Sequence, residues 1–546
     1  MEEESVLELM KLGYLPSPDF AEYFNVNSKF VFDILKKKKN VGGGPIILTL
    51  DLWNVLSKID LPKINWIEFE SSRAHVEKKR NGKVYSTFMD ILKYDVSQDN
   101  KKKVDTILES VKDEPETVVV KDGRIVPSVL VLKNMDIEDK LRELGDFVNF
   151  FKARYNSLSE ILQTRESLRH VVSISKILNK MDKERVAVIG LISDKRYTKN
   201  GNIIFKVEDL TGLIDVLVNK NKSDLFNLAQ DLVLDEVIGV SGMLGERIIF
   251  ADDVVFPDIS LAHELKKSKD EVFAVFTADL HVGSNNFYKD DFLKFIDWIN
   301  GKSGDEKQVE IAKKVKYLFI VGDLVDGIGV YPGQENELVI KDIVQQYDLC
   351  YELLSRIRKD VRIVICGGNH DALRMAEPQP PLDRKFASSL YNLSNAVFVT
   401  NPSFVNINSS EDFPGFDILL YHGFSFVYYA NNVNSIRSKG NTIRADLIMK
   451  FLLQKRHLAP THTSSMYIPN PESDFMVIDR VPDFFISGHL HRTLVGNYRN
   501  VTLISCGCWV GQTPFQSKLG IVPDPSRISL VNLKTREVKI LKFGGK

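Results

Sequence analysis

The spacing of apolar positions changes several times along the chain, and each change predicts a different kind of element. Residues 5–12 and 29–39 carry helix-like spacing, so residues 1–70 are expected to form an N-terminal helical domain. Lys36, Lys37, Lys38 and Lys39, followed by Gly42-Gly43-Gly44-Pro45, read as a solvated helix end and a turn. Residues 95–127 are charged and poor in apolar side chains, with Lys101-Lys102-Lys103 and Lys112-Asp113-Glu114-Pro115-Glu116 in succession. They anchor the expectation of a linker or irregular region over 71–136. The pattern then sharpens. Leu141, Leu144, Val148, Phe151, Tyr155, Leu158 and Leu162 recur at alternating intervals of three and four, which puts one apolar seam on a long helix at 137–168. A helical connector over 137–180 follows from it, its seam either packed against its own protein or presented as a strut to a partner.

A shorter period replaces the helical one beyond this point. Residues 185–191 are strand-like, Asn200-Gly201 is a hairpin turn signal, and apolar runs follow at 203–207, 213–217, 237–240 and 248–255. A short helical stretch falls after the third run. Five strands and one helix predict a small β-barrel over 181–260, and the run KNGNIIFKVEDLTGLIDVLV resembles an OB-fold. Such barrels often hold single-stranded nucleic acid through basic loops and aromatic rings. Lys195, Arg196 and Lys199 are therefore candidate nucleic-acid contacts, although Tyr197 and Phe205 are the few aromatic residues beside them. A purely architectural barrel is the alternative.

From about residue 270 the order becomes strand, loop, helix, repeated to the end of the chain. The strands at 272–278, 317–322, 361–366, 418–422 and 484–487 are nearly continuous apolar runs, as in sheets covered on both faces. The chain is thus expected to be a multidomain α/β protein. Each run ends in polar residues: Ala278-Asp279-Leu280-His281, Gly322-Asp323-Leu324-Val325-Asp326-Gly327, Gly367-Gly368-Asn369-His370-Asp371, Tyr421-His422-Gly423 and Ser487-Gly488-His489-Leu490-His491. Open α/β sheets bind ligands outside the carboxyl ends of their strands. Imidazole with carboxylate and amide oxygen suits divalent ions such as Mn²⁺, Zn²⁺ or Fe²⁺. Asp-x-His and His-x-His place alternate side chains on one side of an extended strand end, so two ligands can converge from one short segment.

Composition changes this picture in two ways. Of 10 histidines in 546 residues, His281, His370, His422, His489 and His491 fall in these segments, so half of a scarce residue type is committed to one place. The 72 Lys plus Arg against 73 Asp plus Glu give a net charge of −1, which excludes a grip on nucleic acid or membrane by bulk positive charge. Other counts mark limits. A 44% hydrophobic content with 32 Gly and 20 Pro excludes a collagen-like, coiled-coil or mostly disordered chain. Four cysteines, Cys350, Cys366, Cys506 and Cys508, are no disulfide framework, and Cys506-Gly507-Cys508 lacks a second pair that would make a zinc site. The acidic start Met1-Glu2-Glu3-Glu4-Ser5 is unlike a signal peptide, and no apolar run approaches the ~20 residues of a membrane helix. A soluble, cytoplasmic protein with no membrane contact is expected.

Taken in order, the five polar segments resemble those of the calcineurin-like metallophosphoesterase superfamily. The resemblance implies a C-terminal phosphoesterase domain over 270–546, an α/β sandwich of mixed sheets, with a dinuclear metal centre. Asp279, His281, Asp323 and His491 would hold one ion; Asp323, Asn369, His422 and His489 would hold the other, with Asp323 as the bridge. His370 would protonate the leaving oxygen, oriented by Asp326 or, as a rival, by Asp371. The stretch Ala372-Leu373-Arg374-Met375-Ala376-Glu377-Pro378-Gln379-Pro380, with Arg456-His457-Leu458-Ala459-Pro460-Thr461 and Gly511-Gln512-Thr513-Pro514-Phe515-Gln516, is similar to the small-subunit family of archaeal family-D DNA polymerases over roughly residues 130–546. That resemblance implies a 3′→5′ exonuclease working with two Mn²⁺ (or Mg²⁺) ions. Its partners would be the large catalytic subunit of a heteromeric replicative polymerase, DNA with a single-stranded or mismatched 3′ end, and a sliding clamp. A non-catalytic assembly subunit and a free-standing phosphodiesterase for small nucleotides are the competing readings.

Overall fold

The computed structural model describes residues 125–133, 141–179, 183–518 and 520–544, with short pieces before residue 125. The chain divides into two compact units, Met1–Pro115 and Glu116–Lys546. In the first, Tyr14–Pro16 pairs in parallel with Ile46–Leu48. The helical domain expected over 1–70 and most of the linker expected over 71–136 lie outside the described residues.

In the second unit a short antiparallel pair, Val118–Val119 with Ile125–Val126, precedes strand β1 (Val129–Lys133) and helix α1 (Leu144–Gln163). The barrel follows: β2 (Arg185–Tyr197), β3 (Ile203–Asp209), β4 (Gly212–Val218), α2 (Ser223–Gln230), β5 (Val237–Gly245) and β6 (Ile248–Val255). It closes in the order β6-β4-β3-β2-β5, with β6 returning to β5 and a helix after the third strand, as the spacing predicts. Gly201 takes φ 80° in the β2–β3 hairpin, a left-handed conformation that glycine adopts without a Cβ clash. Val188, Ile192, Phe205, Val207, Val216 and Ile249 fill the interior.

The remainder is a sandwich of two six-stranded sheets. One runs β10 (Ala396–Val399), β9 (Arg362–Cys366), β8 (Val315–Val321), β7 (Phe273–Thr277), β16 (Arg527–Asn532), β17 (Val538–Lys542). The other runs β14 (Leu494–Tyr498), β15 (Val501–Ser505), β13 (Phe484–Ser487), β12 (Phe416–Leu420), β11 (Ser403–Ile407), β1. Strands β7 to β10 are parallel, and so are β12, β13 and β15, while β16, β17, β14, β11 and β1 pair antiparallel with their neighbours; the sheets are mixed. Phe276, Phe319 and Phe484 meet between the sheets, with Phe276 stacked 4.9 Å from Phe319 and 6.1 Å from Phe484. Each fully buried phenylalanine of this kind contributes about 1.5–3 kcal/mol. Helices α3 (Lys289–Ile299) and α4 (Ile343–Ser355) cover the outer face of the first sheet; α5 (Phe426–Asn432) and α6 (Ala445–Lys455) cover the second.

Two features depart from the sequence reading. Strand β1 lies inside the stretch expected to be irregular and pairs antiparallel with β11, an edge position that a five-residue run does not announce by itself. The seam on α1 is only half used: Leu158 and Leu162 are buried against the barrel, whereas Leu141, Leu144 and Val148 are exposed.

Barrel and sandwich are fastened by a buried polar joint. Arg154 of α1 donates from Nε to Asp474 Oδ2 at 2.7 Å and from Nη1 to the carbonyls of Pro460 and Asp235. His457 lies 2.8 Å from the same carboxylate oxygen, and its Nδ1 accepts the Ala459 N–H at 3.0 Å. An imidazole that accepts at one nitrogen is neutral, so the joint carries one cation and one anion and no surplus charge. Thr461 Oγ1 donates to the Leu234 carbonyl, and Lys455 pairs with Glu236 at 2.5 Å. The Arg456-to-Thr461 segment is thus the seat of the barrel on the sandwich.

Candidate metal centre

The site forms where the carboxyl ends of β7, β8, β9, β12 and β13 come together from both sheets. Backbone pairing continues past the strands: Asp279 N–H donates to Gly322 O and His281 N–H to Asp323 O, both at 3.0 Å, and Gly488 N–H to His422 O at 2.9 Å. The side chains do not converge through extended alternation, as the sequence reading expected. Asp279, His281, Asp323, His489 and His491 have φ of 53°, 51°, 53°, 67° and 54°, so five of the seven candidate ligands sit in the left-handed region. This conformation is costly for residues with a Cβ, about 1–3 kcal/mol each, and persists where the surroundings enforce it. Close approach has the same signature at glycine. A Cβ on Gly368 would collide with Asp323 Oδ1, and one on Gly322 with the His422 ring.

Two donor clusters result. In the first, His281 Nε2 lies 3.1 Å from His491 Nε2, and Asp279 Oδ1 lies 3.4 Å from His491 Nε2 and 4.0 Å from His281 Nε2. In the second, His422 Nε2 lies 3.2 Å from Asp323 Oδ2 and 3.1 Å from Asn369 Oδ1, and His489 Nδ1 lies 2.9 Å from Asn369 Oδ1. Asp323 Oδ2 is also 3.9 Å from His281 Nε2, between the clusters. All seven residues are buried or nearly so, and the fold brings every one of the expected ligands together.

The donors fit a cation for a specific reason. His422 Nδ1 lies 2.9 Å from the Val321 carbonyl, which can only accept, so Nδ1 carries the proton. A neutral His422 then turns a lone pair at Nε2 towards the lone pairs of Asp323 and Asn369, an arrangement that is repulsive unless a positive charge sits among them. Burial opposes charge on His422, yet Asp323 outweighs it and the imidazole is pushed up to about 9, so without an ion a proton at Nε2 takes the place of that positive charge. Asp323, although buried, is held well below the ordinary carboxylate range by His422 and His370. Nitrogen and oxygen donors in this mixture suit borderline divalent ions.

The loops are braced by polar side chains. Asp371 Oδ2 accepts the backbone N–H groups of Gly368 and Leu324, and its Oδ1 accepts the Tyr347 hydroxyl; it does not touch the His370 ring. His370 Nδ1 lies 2.8 Å from the backbone carbonyl of Asp326, while the Asp326 carboxylate lies 3.0 Å from His281 Nδ1. Asp326 therefore reaches His370 through its main chain and His281 through its side chain, which differs from the carboxylate-to-His370 orientation expected from sequence. Gln379 of the Ala372-to-Pro380 stretch donates to the Gly368 carbonyl and accepts from Asn401 Nδ2, and Asn401 Oδ1 takes the His422 N–H at 2.8 Å.

Comparison with known proteins follows this geometry. Residues 274–493 match the calcineurin-like phosphoesterase family, and residues 186–263 match the OB-fold nucleic acid binding domain. Over 402 residues the chain is 40% identical to the DNA polymerase II small subunit of Methanothermobacter thermautotrophicus, covering 73% of this chain and 80% of that protein. The chain belongs to the DNA polymerase II small-subunit family. The family member from Pyrococcus abyssi is 35% identical over 453 residues, covering 79% and 71% of the two chains. That from Pyrococcus furiosus is 37% identical over 403 residues, covering 73% and 64%.

In this member of the polymerase II small-subunit family, sequence reasoning passed over several residues around the ligands. Gln516 Nε2 lies 3.1 Å from His491 Nδ1, and Gln334 Nε2 donates to both the carbonyl and the carboxylate of Asp326. Loop glutamines distant in sequence carry no periodic signal; only the Gly511-to-Gln516 stretch stood out. Of the candidate nucleic-acid contacts, Lys195 is already engaged: its ammonium donates to the carbonyls of Gln230 and Leu232, both at 2.7 Å, at the end of α2. Burial lowers it to about 8. Arg196 is exposed and pairs with Asp194 at 3.2 Å; Lys199 is exposed near the hairpin turn. The four cysteines are buried free thiols, and no helix of the described residues is long and apolar enough to cross a membrane.

Proposed function

We propose that this chain is the metal-dependent 3′→5′ exonuclease of a heteromeric replicative DNA polymerase, removing mismatched nucleotides from a growing 3′ end. The observation that carries the reading is the convergence of Asp279, His281, Asp323, Asn369, His422, His489 and His491 in two adjoining clusters that share Asp323. Asp279, His281, Asp323 and His491 would hold one ion and Asp323, Asn369, His422 and His489 the other, with Mn²⁺ favoured over Mg²⁺ by the imidazole content. Bound there, two divalent ions would neutralise the phosphodiester charge and lower the pKa of an attacking water.

The residues of the chain supply the rest. With His370 Nδ1–H directed at the Asp326 carbonyl, proton exchange is confined to Nε2, the nitrogen that would protonate the leaving sugar oxygen. The Asp323 carboxylate accepts the His370 N–H at 2.8 Å and so ties the acid to the ligand shell. The exposed Arg196, Tyr197 and Lys199 on the barrel hairpin are proposed DNA contacts, and Lys195 is withdrawn from that set by its carbonyl partners. The relatives' designation as small subunits supports a large catalytic subunit as partner, and a replicative role supports an intracellular location.

The test is degradation of a 5′-labelled primer with a mismatched 3′ terminus, in Mn²⁺, by the full chain alone and with its large partner. Stepwise shortening from the 3′ end is expected. No shortening in either form would favour a non-catalytic assembly subunit, and hydrolysis restricted to small nucleotides would favour a free-standing phosphodiesterase.

A further inference from the structure

Gln334 is fully buried in a loop whose neighbours Pro332, Gly333, Glu335 and Asn336 are exposed. Both its donors and its acceptor are used: Oε1 accepts the Val330 N–H at 2.9 Å, and Nε2 donates at 2.8 Å to the Asp326 carbonyl and at 3.0 Å to Asp326 Oδ2. Asp326 also faces two histidines: its carbonyl lies 2.8 Å from His370 Nδ1, and its Oδ1 lies 3.0 Å from His281 Nδ1. A carbonyl can only accept, and so can an ionised carboxylate. Both imidazoles are therefore held with the proton on Nδ1, which leaves Nε2 of His281 to face Asp279, Asp323 and His491, and Nε2 of His370 for proton exchange.

From this geometry we propose that Gln334 is a positioning residue: by holding the backbone carbonyl and the carboxylate Oδ2 of Asp326 from one amide, it fixes the tautomer and ring orientation of a candidate metal ligand and of the proton donor together. The proposal rests on the exonuclease reading for the role of His370, but its effect on metal binding does not. Partners that hold a metal-ligating histidine through its other nitrogen are worth roughly 10- to 100-fold in metal affinity.

Gln334→Glu keeps the size of the side chain but turns an acceptor onto two acceptors. Gln334→Met removes both donors without adding charge, and carries the same test should the glutamate variant fail to fold. Calorimetric titration of the full metal-free chain with Mn²⁺ alone is the first readout; the second is kcat and KM on a mismatched primer. The expected result is a folded variant with Mn²⁺ binding weakened roughly 10- to 100-fold at one of its sites, and a lower kcat at unchanged KM. Folded variants that bind Mn²⁺ as tightly as the unaltered chain would overturn the proposal. If every form including the unaltered chain is inactive on DNA while the affinity difference persists, the positioning role stands and the exonuclease reading falls.

Discussion

At the scale of single residues, the site depends on which nitrogen of each imidazole carries its proton. His422 directs Nδ1–H at the Val321 carbonyl, His370 at the Asp326 carbonyl and His281 at the Asp326 carboxylate, whereas His489 turns Nδ1 itself towards Asn369. All seven candidate ligands are legible as polar residues at the ends of apolar runs. The left-handed backbone of five of them and the braces Gln334, Gln516 and Asn401 are not, because those depend on contacts between segments remote in sequence. Asp326 shows the limit clearly: its position is recognisable, but the division of labour between its carbonyl and its carboxylate is set by where the His370 and His281 rings arrive from other segments. His370→Ala should lower the rate of DNA hydrolysis by roughly 10²- to 10⁴-fold, the usual worth of a general acid, while Mn²⁺ affinity measured by calorimetry stays unchanged. Loss of both together would place His370 among the ligands instead.

At the scale of elements, a strand-like pattern proved a better guide than charge. The five barrel strands and the α2 insertion follow from apolar alternation and the Asn200-Gly201 turn, because a closed barrel needs each strand to present one apolar face. The basic residues of the hairpin do not act as a group. Lys195 caps the α2 end, where a cation meets the unsatisfied carbonyls and the negative end of the helix dipole. Lys195→Met should therefore cost about 1–2 kcal/mol of stability in chemical denaturation and leave single-stranded DNA affinity within twofold. A selective loss of DNA affinity at unchanged stability would return Lys195 to the binding surface. Helix α1 was the clearest element in the sequence, yet its buried Arg154, which fastens the barrel to the sandwich, lay outside the apolar seam and gave no sign of its role.

At the scale of the whole molecule, the net charge of −1 places any hold on DNA in local chemistry, and on the proposed function divalent ions held by the candidate clusters would supply positive charge there. The barrel and the phosphoesterase sandwich are legible from changes of period, whereas the joint between them is not, since Arg154 lies 320 residues in sequence from the Asp474 carboxylate it shares with His457. Arg154→Met leaves the buried Asp474 carboxylate without its permanent cation, with only His457 and a backbone N–H beside it, and should destabilise the chain by about 3–5 kcal/mol, read as a lower denaturation midpoint. Burial and the Arg154 charge pull His457 down to about 4 from its ordinary 6.5. Between these values the unfolded chain binds the proton more readily, so stability present above pH 6.5 is lost as pH falls towards 4, by on the order of 2–3 kcal/mol. His457→Gln should flatten that slope in denaturation curves recorded from pH 7 to pH 4; an unchanged slope would assign the pH dependence elsewhere. The central claim is a pair of metal positions joined by Asp323, and electron paramagnetic resonance of the Mn²⁺-loaded full chain tests it most directly, because a shared carboxylate couples the spins of two ions. A dinuclear centre predicts two Mn²⁺ per chain with a spin-coupled spectrum that collapses to an isolated-ion signal in Asp323→Asn; an uncoupled spectrum in the unaltered chain, or a coupled one surviving that substitution, would contradict it.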